Sequence, residues 1–224
     1  MADYVNPIGP GLRSARIDMG VDYTGSGPLY ALGSGTIRNV YNSGWPGGKF
    51  IDLMLDSGQF AGKHIFYAEN INPNVTVGQH VTAGQLIGHA VGSYPFIEVG
   101  WGSGVGGQTM AAKVGQQSKS GDPGAHSTAY GVSMSNLIKS LGGPGGIMTP
   151  GGISGTVSPD YPGSVAGAQL ASSTSGSALP GCIPLIGVIS YALLKTEKCG
   201  WHVSRRERRK RRRENEARHR RRSG

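Results

Sequence analysis

From about Ile17 to Trp101, short runs of β-branched and aromatic residues alternate with clusters of Gly, Pro, Asn and Asp, a rhythm that predicts a small all-β domain. The runs predict strands over Leu29–Leu32, Gly35–Tyr41, Phe50–Leu55, Lys63–Ala68, Gln85–Ala90 and Phe96–Gly100, most of them antiparallel. Residues 42–48 and 56–58 supply glycines where a turn needs positive φ, and so read as connections. A glycine-rich stretch, residues 102–107, leads to a predicted short helix over 109–117. A second helix is predicted where Leu137, Ile138 and Leu141 make an apolar stripe, with Ser133 or Ser135 as its cap and Gly142-Gly143 as its stop.

Beyond that helix the pattern thins. Residues 142–178 are mostly Gly, Pro, Ser, Thr and Ala, too poor in large apolar groups to offset ordering entropy, and are predicted to be a flexible linker. Residues 179–194 are mostly apolar but are broken by Pro184 and Gly187, and they fall short of the ~20 residues a spanning helix needs. Membrane association, a sticky linker segment and a partner-docking strand all remain open for them. The basic run that follows in 195–224 matches a cytoplasmic flank.

Charge changes the picture only when it is located. The chain of 224 residues carries a formal net charge of +9, yet residues 205–224 hold 12 of the 22 Lys and Arg and 3 of the 13 Asp and Glu. Ten of each remain, so the folded part is neutral and the basic character belongs to the tail. Glu207, Glu214 and Glu216 each precede an arginine by four residues, a spacing that supports an exposed helix. The tail has no aromatic to stack on a base, so contact through 205–222 with a polyanion or anionic lipid would be electrostatic and salt-dependent. Cys182 and Cys199 lie outside the candidate core and provide neither a disulfide framework nor a Cys-x-x-Cys metal pair. The first twelve residues contain no basic n-region and no apolar h-region, so no conventional signal peptide is expected.

Three motifs stand in order: Asp18-Met-Gly-Val-Asp22, Tyr67-Ala-Glu69 and Tyr94-Pro-Phe-Ile-Glu-Val99. They resemble the His-x-Gly-x-Asp, Tyr-Ala-His and His-Leu-His-Phe-Glu-Val motifs of the lysostaphin/LytM-type cell-wall metallopeptidases. The stretch Gly27–Ile37 is similar to the family's strand pair, and Val75–Gly88 to its "V.VGQ.V..GQ.IG" hairpin, which biotinyl and lipoyl carriers share. No Met-Lys carrier lysine lies in that hairpin. The resemblance implies a small antiparallel β-sandwich with a short helical extension over 1–141, and work on peptidoglycan.

The same resemblance implies a zinc site built from the His and Asp of the first motif and the second His of the third. Here those places hold Asp18, Asp22 and Phe96, and the family's other two histidines become Glu69 and Tyr94. Phe cannot bind a metal, so no zinc, and no other cofactor, is expected. A peptidase-like pseudoenzyme that binds peptidoglycan or another wall polymer follows, from a bacterium or phage. It would be membrane-associated with the tail cytoplasmic, or part of a virion or envelope.

Alternation places Tyr94, Phe96 and Glu98 on one face of their strand, with Ile97 and Val99 on the other. If the family geometry holds, Asp18, Asp22, Glu69 and Glu98 converge. Crowded carboxyls raise one another's pKa and offer an acid beside a base, which keeps open a metal-free, glycosidase-like hydrolase using Glu69, Glu98 and Asp22. Pairing of these acids with Arg16 or Arg38, or a calcium or magnesium site, would be alternatives. Trp45, Trp101, Tyr23, Tyr67 and Tyr94 either face a sugar or peptide in the cleft or pack the core. His64, His80, His89 and His126 repeat no ligand spacing and are expected at the surface. A membrane-tethered nucleic-acid binder rests on the tail alone.

Overall fold

Where the sequence alternates, the chain forms strands, and they join edge to edge into a curled antiparallel sheet. The computed structural model describes residues 3–42, 44–45, 48–92, 96–116 and 125–163. The apolar segment 179–194, the basic tail, both cysteines and Tyr94 lie outside the described residues. All described residues belong to one compact unit, and none of its helices is long and apolar enough to cross a membrane.

The strands are β1 Leu12–Ile17, β2 Val21–Tyr30, β3 Gly35–Tyr41, β4 Lys49–Leu55, β5 His64–Glu69, β6 Ile71–Pro73, β7 His80–Val81, β8 Leu86–Val91 and β9 Ile97–Gly102. Their order is β6-β8-β2-β9-β5-β4-β3-β7, with β1 added on β2. The ten-residue β2 lets the sheet curl: its first part, from Val21, pairs with β9 and its second part, from Ser26, with β8. Val21, Leu29, Ile37, Ile51, Leu53, Ile65, Val99 and Trp101 fill the inside of the curl.

Two helices cover one end, α1 Met110–Lys113 and α2 Ala129–Ser140. Thr109 caps α1, and α2 is capped by Thr128 rather than by Ser133 or Ser135. Those two serines are buried inside the helix, where Ser133 accepts a hydrogen bond from Trp101 Nε1 (3.1 Å) and Ser135 accepts one from Gly146 N (2.9 Å). The apolar stripe and the stop at Gly142, whose φ is +78°, are as the sequence implies.

The linker expectation fails for residues 142–163. Ile147 exchanges backbone hydrogen bonds with Ala15 and Ile17, and β11 (Ile153–Ser154) pairs in parallel with β10 (Ser127–Thr128). Tyr161 packs edge-on against Trp101 and Tyr130, with the Lys63 ammonium 4.1 Å from its ring centroid and Asp160 paired to Lys63. Composition missed this because one aromatic and a series of backbone hydrogen bonds, not a run of apolar residues, hold the strap.

Candidate functional site

The outer face of the sheet carries the chemistry. Asp22 on β2 stands opposite Glu98 on β9, Glu98 opposite Ala68 on β5, and Ala68 opposite Phe50 on β4. Neighbouring strands lie ~4.8 Å apart, so this row runs from carboxylates to an aromatic ring within ~15 Å. The next row on the same face contains Gly100, Phe66 and Asp52. No larger side chain fits at Gly20 or Gly100: a methyl on Gly100 would fall 2.5 Å from the Phe66 ring, and one on Gly20 would fall 2.5 Å from the Val99 carbonyl.

The turn carrying Asp18 is held from behind by α2. Thr128 donates from both its backbone N–H (3.1 Å) and its hydroxyl (2.7 Å) to the Asp18 carbonyl. Asp18 and Gly20 also close the turn through a 2.9 Å backbone hydrogen bond. Three acids, Asp18, Asp22 and Glu98, are buried there. Arg16 lies across the first two, its Nε 2.7 Å from Asp22 Oδ2 and its Nη2 3.1 Å from Asp18 Oδ2. Glu98 accepts a short hydrogen bond from the Gly20 backbone N–H.

Glu69 reaches the same place by a different route. Strand parity would turn it inward with Ile65 and Tyr67, but its φ of +77° puts it in the left-handed region, the one such non-glycine among the described residues. Its partly exposed carboxyl feels Asp22, Arg16 and Asp18 and makes no hydrogen bond or ion pair among the described residues. Burial, then the charge of Asp22, lifts the Glu69 pKa to about 8. Burial likewise lifts Asp22 to about 7, with Arg16 opposing and Asp18 reinforcing the rise. Glu98 lies well above the ordinary carboxylate range for the same first reason, with Asp22 next. At neutral pH this cluster of Asp18, Asp22, Glu69 and Glu98 around Arg16, the acid cell, therefore sheds much of its formal negative charge by holding protons.

The aromatic residues divide between the two faces. Half-buried Trp45 leans over Phe50 and Phe66, ring centroids 5.1 and 5.6 Å away, and donates from Nε1 to the Gly107 carbonyl (2.8 Å). Tyr41 completes this shelf. Phe50 and Phe66 are additions to the residues the sequence suggests: Phe66 shares parity with Ala68 on β5, whereas Phe50 joins them only through the β4–β5 register. Tyr67 and Trp101 do not face the cleft. Tyr67 is fully buried, its hydroxyl accepting from Leu32 N (2.9 Å) and donating to Tyr30 O (3.0 Å). Trp101 is buried against Phe60 and Tyr161, and Tyr23 is buried with its hydroxyl on Pro144 O. Trp101 shares parity on β9 with the inward-facing Ile97 and Val99, so its burial is a signal present in the sequence. His64 is also no surface histidine: its Nδ1 lies 2.8 Å from the buried Asp52, beneath the loop at Gly104.

The donor set does not fit a zinc ion. Arg16 occupies the two carboxylates at the first-motif positions, and Phe96 at the third ligand position offers an apolar ring. Among the described residues no group of three or more His, Cys, Asp or Glu is placed to hold a metal.

No family model and no curated protein matches the chain. Solved structures do. The sheet is similar in fold to lysostaphin and M23 peptidase structures. The solution structure of lysostaphin is 23% identical over 43% of this chain and 45% of that one, with a TM-score of 0.35. The catalytic domain of lysostaphin from Staphylococcus simulans is 30% identical over 37% and 65%, at 0.32. An M23 peptidase structure from Pseudomonas aeruginosa is 16% identical over 51% of each chain, at 0.37. This chain thus spans about half the length of most of these structures.

Proposed function

We propose that this domain is a peptidoglycan-associated binding or regulatory module, with a peptidase-like cleft that works without zinc. The motif order supports the choice of polymer. The observation that carries the reading is one row on the outer side of the sheet, where the buried Ala68 joins Phe50, beneath the half-buried Trp45, to Glu98 and Asp22, with the partly exposed Glu69 beside them. Trp45 and Tyr41 offer ring faces to a sugar or peptide, and Glu69 offers a carboxyl that holds its proton at neutral pH and can donate to a carbonyl oxygen.

Co-sedimentation with insoluble peptidoglycan tests the reading. The full chain is expected in the pellet, and Trp45→Ala is expected to lose at least ~10-fold in affinity, the value of one good aromatic contact. No co-sedimentation by the unmutated chain would refute it.

One observation favours a second reading, a carboxylate-based hydrolase. Glu69, held to about 8, stands near Asp22, held to about 7, which supplies a proton donor and an acceptor at neutral pH. Glu69 is the partly exposed acid and would act as the donor, with Asp22, ion-paired to Arg16, as the acceptor and the buried Glu98 held by the Gly20 N–H. Release of soluble wall fragments by the unmutated chain, lost in Glu69→Gln with binding kept, would establish it.

A further inference from the structure

We propose that the Arg16 guanidinium is the resident cation of this cleft, built into the place between Asp18 and Asp22 where a metal would otherwise sit, and that it closes these carboxylates to divalent ions. The inference concerns how the cell is held and does not depend on the wall-binding reading.

Three independent features place Arg16 there. The first is a bulge: β1 pairs with β2 at Ser14↔Tyr23 and again at Ile17↔Val21, so Ala15 and Arg16 together stand opposite Asp22 alone. An extra residue of this kind re-aims a side chain and strengthens the local twist. Because Ile17 points into the core, Arg16 points to the outer face, beside Asp22. The second is the strap. Ile147 N–H donates to the Ala15 carbonyl (2.7 Å) and Ile17 N–H donates to the Ile147 carbonyl (2.8 Å), which pins the backbone on both sides of Arg16. The third is the guanidinium itself, whose planar fork meets two carboxylates at once through Nε and Nη2. A lysine ammonium, as a point charge, could not reproduce that arrangement.

The consequence is electrostatic. Two buried carboxylates that lack a cation must be protonated, bind an ion or destabilise the fold. The covalently attached guanidinium supplies the charge permanently, so the cell needs no metal to fold. A divalent ion would have to displace a group the backbone holds in place.

The test uses the full chain. Wild type, Arg16→Ala, Arg16→Lys, Asp18→Asn/Asp22→Asn and the triple variant Arg16→Ala/Asp18→Asn/Asp22→Asn are dialysed against zinc. Bound zinc is then measured, and melting temperatures are recorded at neutral pH with zinc and with EDTA. The wild type is expected to hold no more zinc than Asp18→Asn/Asp22→Asn, with the same melting temperature in zinc and in EDTA. Arg16→Ala is expected to melt about 4–8 °C lower, Arg16→Lys between the two, and the triple variant to recover most of the loss, because it removes the charges together with their partner. If Arg16→Ala does not fold, recovery in the triple variant carries the same information. Zinc bound at one equivalent by the wild type and lost in Asp18→Asn/Asp22→Asn would overturn the proposal. So would an Arg16→Ala chain that melts like the wild type, or a triple variant no more stable than Arg16→Ala.

Discussion

Glu69 is the cell's most exposed test of its electrostatics, because its carboxyl is lifted from an ordinary 4.5 to about 8 by burial and by Asp22. Such a group is protonated in both folded and unfolded chains below pH 4.5, so its full contribution to stability is present there. Between 4.5 and about 8 the unfolded chain has released the proton that the folded chain keeps, and stability falls as pH rises. Above about 8 both states are ionised and the loss levels off. Because the carboxyl is partly open to solvent, screening reduces the total to on the order of 1–2 kcal/mol. Glu69→Gln keeps the shape of the protonated acid and removes the ionisation. Denaturant midpoints of the two proteins from pH 4 to 9 are therefore expected to coincide at the acid end and diverge as pH rises. At pH 9 the variant should lead by ~1–2 kcal/mol, or ~2–8 °C in melting temperature. Parallel curves, or a glutamine variant less stable than wild type at pH 9, would refute the claim that the fold buries Glu69 beside like charge.

Other expectations separate the core from the cleft. Tyr67→Phe leaves the Leu32 N–H and the Tyr30 carbonyl without their partner and should cost ~1–3 kcal/mol in urea unfolding while leaving peptidoglycan co-sedimentation unchanged. Tyr161→Ala removes the ring that Trp101, Tyr130 and Lys63 share and should cost ~2–4 kcal/mol, measurable as a shift in thermal midpoint. A neutral result there would mean that the Tyr161 ring does not anchor the far end of the strap. Trp45→Ala should combine a loss of ~1–2 kcal/mol in stability, as befits a half-buried ring, with the loss of polymer binding.

Strand β3 was legible to the residue because β-branched and aromatic positions run between glycine-marked turns. β1 was not, since Leu12-Arg-Ser-Ala-Arg-Ile17 carries two cations and is a strand only because β2 and the Ile147 strap hydrogen-bond to it. β6 and β7, at three and two residues, are too short to show a period. In the site, the motif order brings Asp18, Asp22 and Glu98 to view, and the sequence offers Arg16 and Arg38 alike as their partner. The bulge that aims it has no marker in a single sequence. Neither does the left-handed backbone at Glu69, a residue type that gives no hint of positive φ. Tyr67 and Trp101 show the reverse case: their inward parity could be read, but a motif position and a large ring suggested the cleft.

A single incubation reaches the central claim, that this is a wall-binding cleft without metal catalysis. The full chain is mixed with insoluble peptidoglycan, with and without EDTA, and both the bound protein and the newly soluble amino groups and reducing ends are measured. The account predicts bound protein that is unaffected by EDTA and no soluble product. Product whose formation EDTA abolishes would contradict it.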